Sequence, residues 1–226
     1  MHYFLNGGRN EKGVLRQSES LELYKKLGVT RLVVIPYAIM EAEWQRLWHD
    51  KTDFFNIPGL ETRSLTIYDT DRNFIAETLA WADFVYLTGG AQKTLLRRMD
   101  ELGTHQALQK VLASGSLRLL GGGSAGAMAI GEQCIVGRDQ VESVVNGLNF
   151  MPATIIDSHF SNRNRESRLQ NVLNDYPQVT GIGLDEDTAA VWNERLTLQT
   201  VFGSGTVSVY RKDKKLDYDS STPITG

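Results

Sequence analysis

The chain is short of several things, and each shortage excludes a class of protein. It carries one cysteine, Cys134, so an internal disulfide is ruled out and a small buried side chain is its expected role. Its four histidines, His2, His49, His105 and His159, include no pair at metal-ligand spacing, which argues against a metal hydrolase. No apolar run approaches the ~20 residues that cross a bilayer. The first eight residues are too short and too uncharged for a secretory signal, so a cytoplasmic protein with no membrane partner is expected. Lysine and arginine, 24 against 27 acidic residues, are scattered and leave a net charge of −3, so the basic stripe of a nucleic-acid binder is missing. A phosphate loop ending in Lys-Ser/Thr is also absent. A dinucleotide fingerprint would need an acid about 20 residues after its glycines, where Glu142 is only loosely placed.

What is present suits one α/β domain covering 1–226: 226 residues, 41% of them hydrophobic, are enough for a full core. Strand and helix signals alternate along most of the chain. A helix from about Ser18 carries Leu21, Tyr24 and Leu27 on one face and stops at Gly28. Residues 31–35 read as a buried parallel strand ended by Pro36. A helix bearing Trp44, Leu47 and Trp48 follows, with His49 on its surface, and then a strand over 64–68. Asp71 stands as N-cap of a helix whose Phe74, Ile75, Thr78, Leu79 and Ala82 recur at helical spacing. A strand over 84–87 ends at Gly89-Gly90, helices near 95–99 and 107–113 follow, and 117–120 is the next strand. Such alternation predicts a mostly parallel sheet with helices on both faces. Residues 196–202 and 206–210, joined by Gly203-Ser204-Gly205, read as an antiparallel hairpin at its edge. Residues 211–215 form a charged turn, and the polar stretch from about 219 is expected to fray.

The run Gly121-Gly122-Gly123-Ser124-Ala125-Gly126-Ala127 places one hydroxyl in a glycine-lined turn directly after an apolar strand. A nucleophilic serine needs that context. The chain must reverse from strand to helix, so the residues two before and two after the serine must be small, as Gly122 and Gly126 are. The Ala125 amide would then open the helix beside any oxyanion formed at Ser124.

A serine needs a base, and His159 is the best placed histidine, because it closes a β-rich run over 153–157 and precedes Arg163, Arg165 and Arg168. It therefore falls at the carboxyl edge of the sheet, where ligands bind in open α/β folds. The strand over 181–184 ends in Asp185-Glu186-Asp187, any one of which could orient the imidazole. The chain order, serine then histidine then acid, differs from that of an ordinary α/β-hydrolase.

These blocks, with Leu87-Thr88-Gly89-Gly90-Ala91-Gln92, resemble in order the signature segments of the serine peptidases that comprise cyanophycinase and the aspartyl dipeptidase peptidase E. The resemblance implies Ser124 as nucleophile, His159 as general base, Glu186 as acidic partner and the amides of Gly90 and Ala125 as oxyanion hole. It implies Gln92, Arg163, Arg165 and Arg168 as substrate-binding residues, no cofactor and no metal, and a small peptide substrate with an aspartyl group. The expected fold is a three-layer αβα sandwich, a mostly parallel sheet with a C-terminal antiparallel hairpin, similar to the class I glutamine amidotransferase-like fold. An amidotransferase would place a cysteine where Ser124 stands, and a non-catalytic binding protein on the same fold is the reading from outside enzymes. A homodimer is the default assembly for a small enzyme.

Overall fold

Strands that are buried at every position, their first residue apart, must be covered on both faces. In the computed structural model, which describes residues 1–44, 56–212 and 214–224, the strands β1 (His2–Asn6), β2 (Arg31–Ile35), β4 (Phe84–Leu87) and β5 (Leu119–Gly123) meet that condition. Successive side chains point to opposite faces. Phe4, Leu32, Val34, Phe84, Tyr86 and Leu119 face one core with Val14, Leu15 and Tyr24 from α1 (Glu11–Arg16) and α2 (Ser18–Leu27). Leu5, Val33, Ile35, Val85, Leu87 and Leu120 face the other, where they meet α3 (Arg72–Trp81), α4 (Gln92–Glu101) and α5 (Thr104–Ala113) through Leu79, Leu95, Met99, Leu108 and Val111. The result is an α/β sandwich with helices on either side of the sheet.

The strands divide between two sheets where the sequence suggested one. The first has the order β11-β10-β1-β5-β4-β2-β3, with β3 (Glu61–Ser64), β10 (Thr188–Asn193) and β11 (Leu198–Gly203) completing it. The second runs β13-β12-β9-β8-β6-β7, from β6 (Gly131–Val136), β7 (Ser143–Asn146), β8 (Met151–Ser158), β9 (Thr180–Leu184), β12 (Val207–Arg211) and β13 (Lys214–Tyr218). The core around Leu5 and Leu120 extends to Ile156, Ile182 and Val209, so both sheets share it. Between them lies α6 (Ala125–Ile130), every residue of which is buried. On the far side of the second sheet, α7 (Glu166–Asp175) packs Leu169 and Val172 against Ile155, Ile135 and Cys134, a buried free thiol.

Local signals account for two of the expected helix ends. Gly28, left-handed at φ 66, closes α2 by donating to Lys25 O, and Asp71 caps α3 by accepting from Asn73 N. The expected strand over 64–68 is displaced, because pairing with β2 starts at Glu61 and stops at Ser64. The C-terminal antiparallel hairpin exists with a different pairing. β11 joins β10 in the first sheet, whereas β12 pairs with β9 and β13 in the second, so the two runs around Gly203-Ser204-Gly205 go to separate sheets. After Tyr218, Asp219 accepts from Ser221 N and Thr222 N, closing a turn where fraying was expected. Trp44 is buried and packs edge-on against Tyr68; Leu47, Trp48 and His49 lie outside the described residues.

Candidate active site

The carboxyl ends of β1, β5, β8 and β9 converge, and each delivers part of the site. After β5 the chain turns at Ser124, whose backbone is left-handed (φ 48, ψ −114), and enters α6 at once. A β-carbon at Gly122 would lie 2.5 Å from Gly126 C, and one at Gly126 would lie 2.1 Å from Leu87 O. Only glycine lets strand and helix approach so closely, which is why the hydroxyl can stand clear of the sheet.

His159 leaves β8 with a second left-handed backbone, φ 50, and its amide donates to Gly7 O at 3.0 Å. Its Nε2 lies 2.8 Å from Ser124 Oγ and its Nδ1 2.8 Å from Glu186 Oε1. With Nδ1–H donated to the carboxylate, Nε2 is left to accept the serine proton. Burial draws the His159 imidazole below its ordinary pKa. The Glu186 hydrogen bond opposes that shift, and Arg163 and Arg165 add to it. For Glu186, burial acts upward, but the hydrogen bond and charge of His159 together with those of Arg9 outweigh it and hold the carboxyl below its usual range. Asn162 Oδ1 accepts from the Glu186 amide at 2.8 Å and fixes the loop. Asp185 and Asp187 are engaged elsewhere: Asp185 accepts from Ser161 N and Thr206 N, and Asp187 from Asn10 N.

A cleft of about 670 Å³ opens over this chain of hydrogen bonds, lined by Gly90, Gln92, Ser124, Ser158, His159, Arg163 and Arg165 among others. Gly90 follows β4 with φ 146, beside Ala38, and Ala125 is the first residue of α6. Gln92 opens α4, its Nε2 3.5 Å from Met128 Sδ. The three arginines separate. Arg163 is half-buried at the cleft. Arg165 reaches the cleft wall but is buried in an ion pair with Asp157 (2.9 Å) and donates to Ser158 O. Arg168 is not among the cleft-lining residues: its Nε lies 3.0 Å from Asp157 Oδ2 and its Nη1 donates to Gly137 O. The Arg168 guanidinium is thus committed to Asp157 and to backbone carbonyls, outside the cleft contact that the resemblance implies.

The sequence reading missed the turn Asn6-Gly7-Gly8-Arg9-Asn10 after β1. Asn6 O accepts from Ser124 N, Gly7 O from His159 N and Gly8 O from Asp187 N, so one turn braces all three loops. Its signal was a Gly-Gly pair at a strand's carboxyl end. Arg138, Glu43, Lys93 and Glu142 also line the cleft, from segments with no recognisable motif.

A strained serine at a strand-to-helix turn, hydrogen-bonded through an imidazole to a carboxylate on an α/β frame, is the arrangement of a serine hydrolase. Residues 5–199 match the model of peptidase family S51, and the chain belongs to that family. It is 30% identical over 216 residues to a cyanophycinase of Synechococcus elongatus, an alignment covering 90% of this chain and 66% of that one. With a cyanophycinase of Geminocystis herdmanii it shares 36% identity over 132 residues, 55% of this chain and 48% of the relative. The chain thus spans between about half and just under two thirds of the length of these curated relatives. The crystal structure of a peptidase from an acI-B1 Actinobacterium has the same fold: TM-score 0.71 at 21% identity, covering 98% of this chain and 95% of that one. Among the described residues no helix is long and apolar enough to cross a membrane.

Proposed function

We propose that the chain is a serine peptidase that hydrolyses a peptide or isopeptide bond next to an aspartyl residue in a small substrate. The observation that carries this reading is the unbroken hydrogen-bond chain Ser124–His159–Glu186, with both links at 2.8 Å. Ser124 Oγ attacks the scissile carbonyl as His159 Nε2 takes its proton, and Glu186 stabilises the imidazolium so formed. The amides of Gly90 and Ala125 receive the oxyanion. The tetrahedral intermediate collapses as His159 returns the proton to the leaving amine, and water then repeats the cycle on the acyl-enzyme.

The aspartyl preference rests on charge at the cleft. Arg163 and Arg165 line it, and a guanidinium grips a carboxylate in two parallel hydrogen bonds. Arg165 is committed to Asp157, so Arg163 is the candidate for direct contact and Arg165 for fixed positive potential. Gln92, which also lines the cleft, supplies an amide.

A panel of Asp-X and β-Asp-X dipeptides assayed with wild type and Ser124→Ala tests the reading. Hydrolysis of one linkage class by wild type and none by the variant is expected; equal turnover by both would remove Ser124 from the mechanism.

A further inference from the structure

Arg9 lies outside the cleft lining, yet its Nη1 is 3.3 Å from Glu186 Oε2, the carboxylate oxygen that His159 does not use. The two oxygens are thereby divided: Oε1 faces Nδ1 at 2.8 Å and Oε2 faces the guanidinium. Arg9 reaches that position from a left-handed backbone (φ 68) that a non-glycine residue keeps only where its surroundings impose it. The surroundings do so: Gly8 N donates to Asn6 Oδ1, Asn10 N donates to Asp187 Oδ1, and Gly8 O accepts from Asp187 N. A β-carbon at Gly8 would meet His159 Cε1 at 2.6 Å, so the turn sits flush against the imidazole. The Arg9 side chain is 70% exposed, and an ion pair so open to solvent adds little to stability.

We infer that Arg9 is a positioning residue for the proposed reaction: its guanidinium clamps the outer oxygen of Glu186 so that the inner oxygen stays aimed at His159. The inference rests on the Ser-His-Glu reading above. The charged groups facing this pair are Arg9 from the β1–α1 turn and Arg163 and Arg165 from the β8–α7 segment, while Asp185 and Asp187 on the β9–β10 loop are turned to the amides of Ser161, Thr206 and Asn10. Beside the titratable His159, Arg9 is a permanently charged partner hydrogen-bonded to the carboxylate. Without it, Glu186 keeps its full charge for the imidazolium, which then titrates at higher pH, while the loosened carboxylate orients His159 less well.

Labelling of Ser124 by a fluorophosphonate, followed as rate against pH, reads both effects without knowledge of the substrate. For Arg9→Ala the plateau rate is expected to fall roughly fivefold, with the acid limb displaced to higher pH and an unchanged Tm. Arg9→Lys restores the midpoint but not the plateau, since a point charge cannot divide the two oxygens as a planar fork does. A wild-type plateau and midpoint in Arg9→Ala would overturn the inference, and so would a lower plateau with an unmoved midpoint. Failure of wild-type protein to label at Ser124 would instead remove the serine-hydrolase reading itself.

Discussion

Asp157 and Glu186 are each held by two cation-bearing side chains, in opposite surroundings. Asp157, on β8, is fully buried against Arg165 and Arg168, which are themselves 2% and 8% exposed, and the two guanidiniums also hold backbone carbonyls of 137, 138 and 158. Glu186 stands behind the cleft-lining His159, between an imidazole that can lose its proton and an arginine mostly in water. A charge locked on permanently charged partners fixes a segment, here the span from β8 to α7. A charge paired with a titratable partner can answer a proton transfer. Asp157 and His159 are two residues apart, and the end of one strand carries both the structural and the chemical cluster.

Mutation should separate the two. Ser124→Ala should lower kcat the most, by a factor on the order of 10⁶, with no change in urea midpoint. Glu186→Gln should cost on the order of 10⁴ in kcat, since the amide no longer fixes the imidazole tautomer, again with stability near wild type. Asp157→Ala should reverse the pattern. Two buried guanidiniums lose their partner, and unfolding free energy should fall by about 3–5 kcal/mol in urea titration. A stable Asp157→Ala protein, or a Glu186→Gln protein that unfolds easily, would erase the contrast.

A pH profile sharpens it further. The proposed base works only as neutral imidazole, and burial lowers its pKa, so kcat/KM should stay level below the ordinary imidazole value of ~6.5 and drop only at more acid pH. A midpoint above that value would mean that Glu186 outweighs burial at His159.

The serine turn was legible because the chemistry demands a rare local pattern, small residues on both sides of a hydroxyl after an apolar strand, and Gly122, Ser124 and Gly126 display it. His159 was legible as the polar end of a strand. The choice among Asp185, Glu186 and Asp187 was not, because neighbouring acids differ only in the direction the loop gives them; resemblance selected Glu186. The Asp157 cluster was hidden for a related reason. Its ion pairs depend on which face of β8 turns toward α7, and the stretch from 163 to 168 reads equally as a basic cleft wall. Arg9 was hidden by topology: β1 lies between β5 and β10, which sets its turn beside residues more than a hundred positions away. The apparent hairpin around Gly203-Ser204-Gly205 had the correct turn chemistry, but β9 and β10 each offered a free edge and drew the two strands apart.

Site-resolved labelling by a fluorophosphonate at neutral pH, with wild type beside His159→Ala, tests the central claim most directly. One adduct, on Ser124, is expected in the wild type, with a rate lower by at least about 10³ in the variant. Equal labelling of the two proteins, or an adduct on another residue, would contradict it.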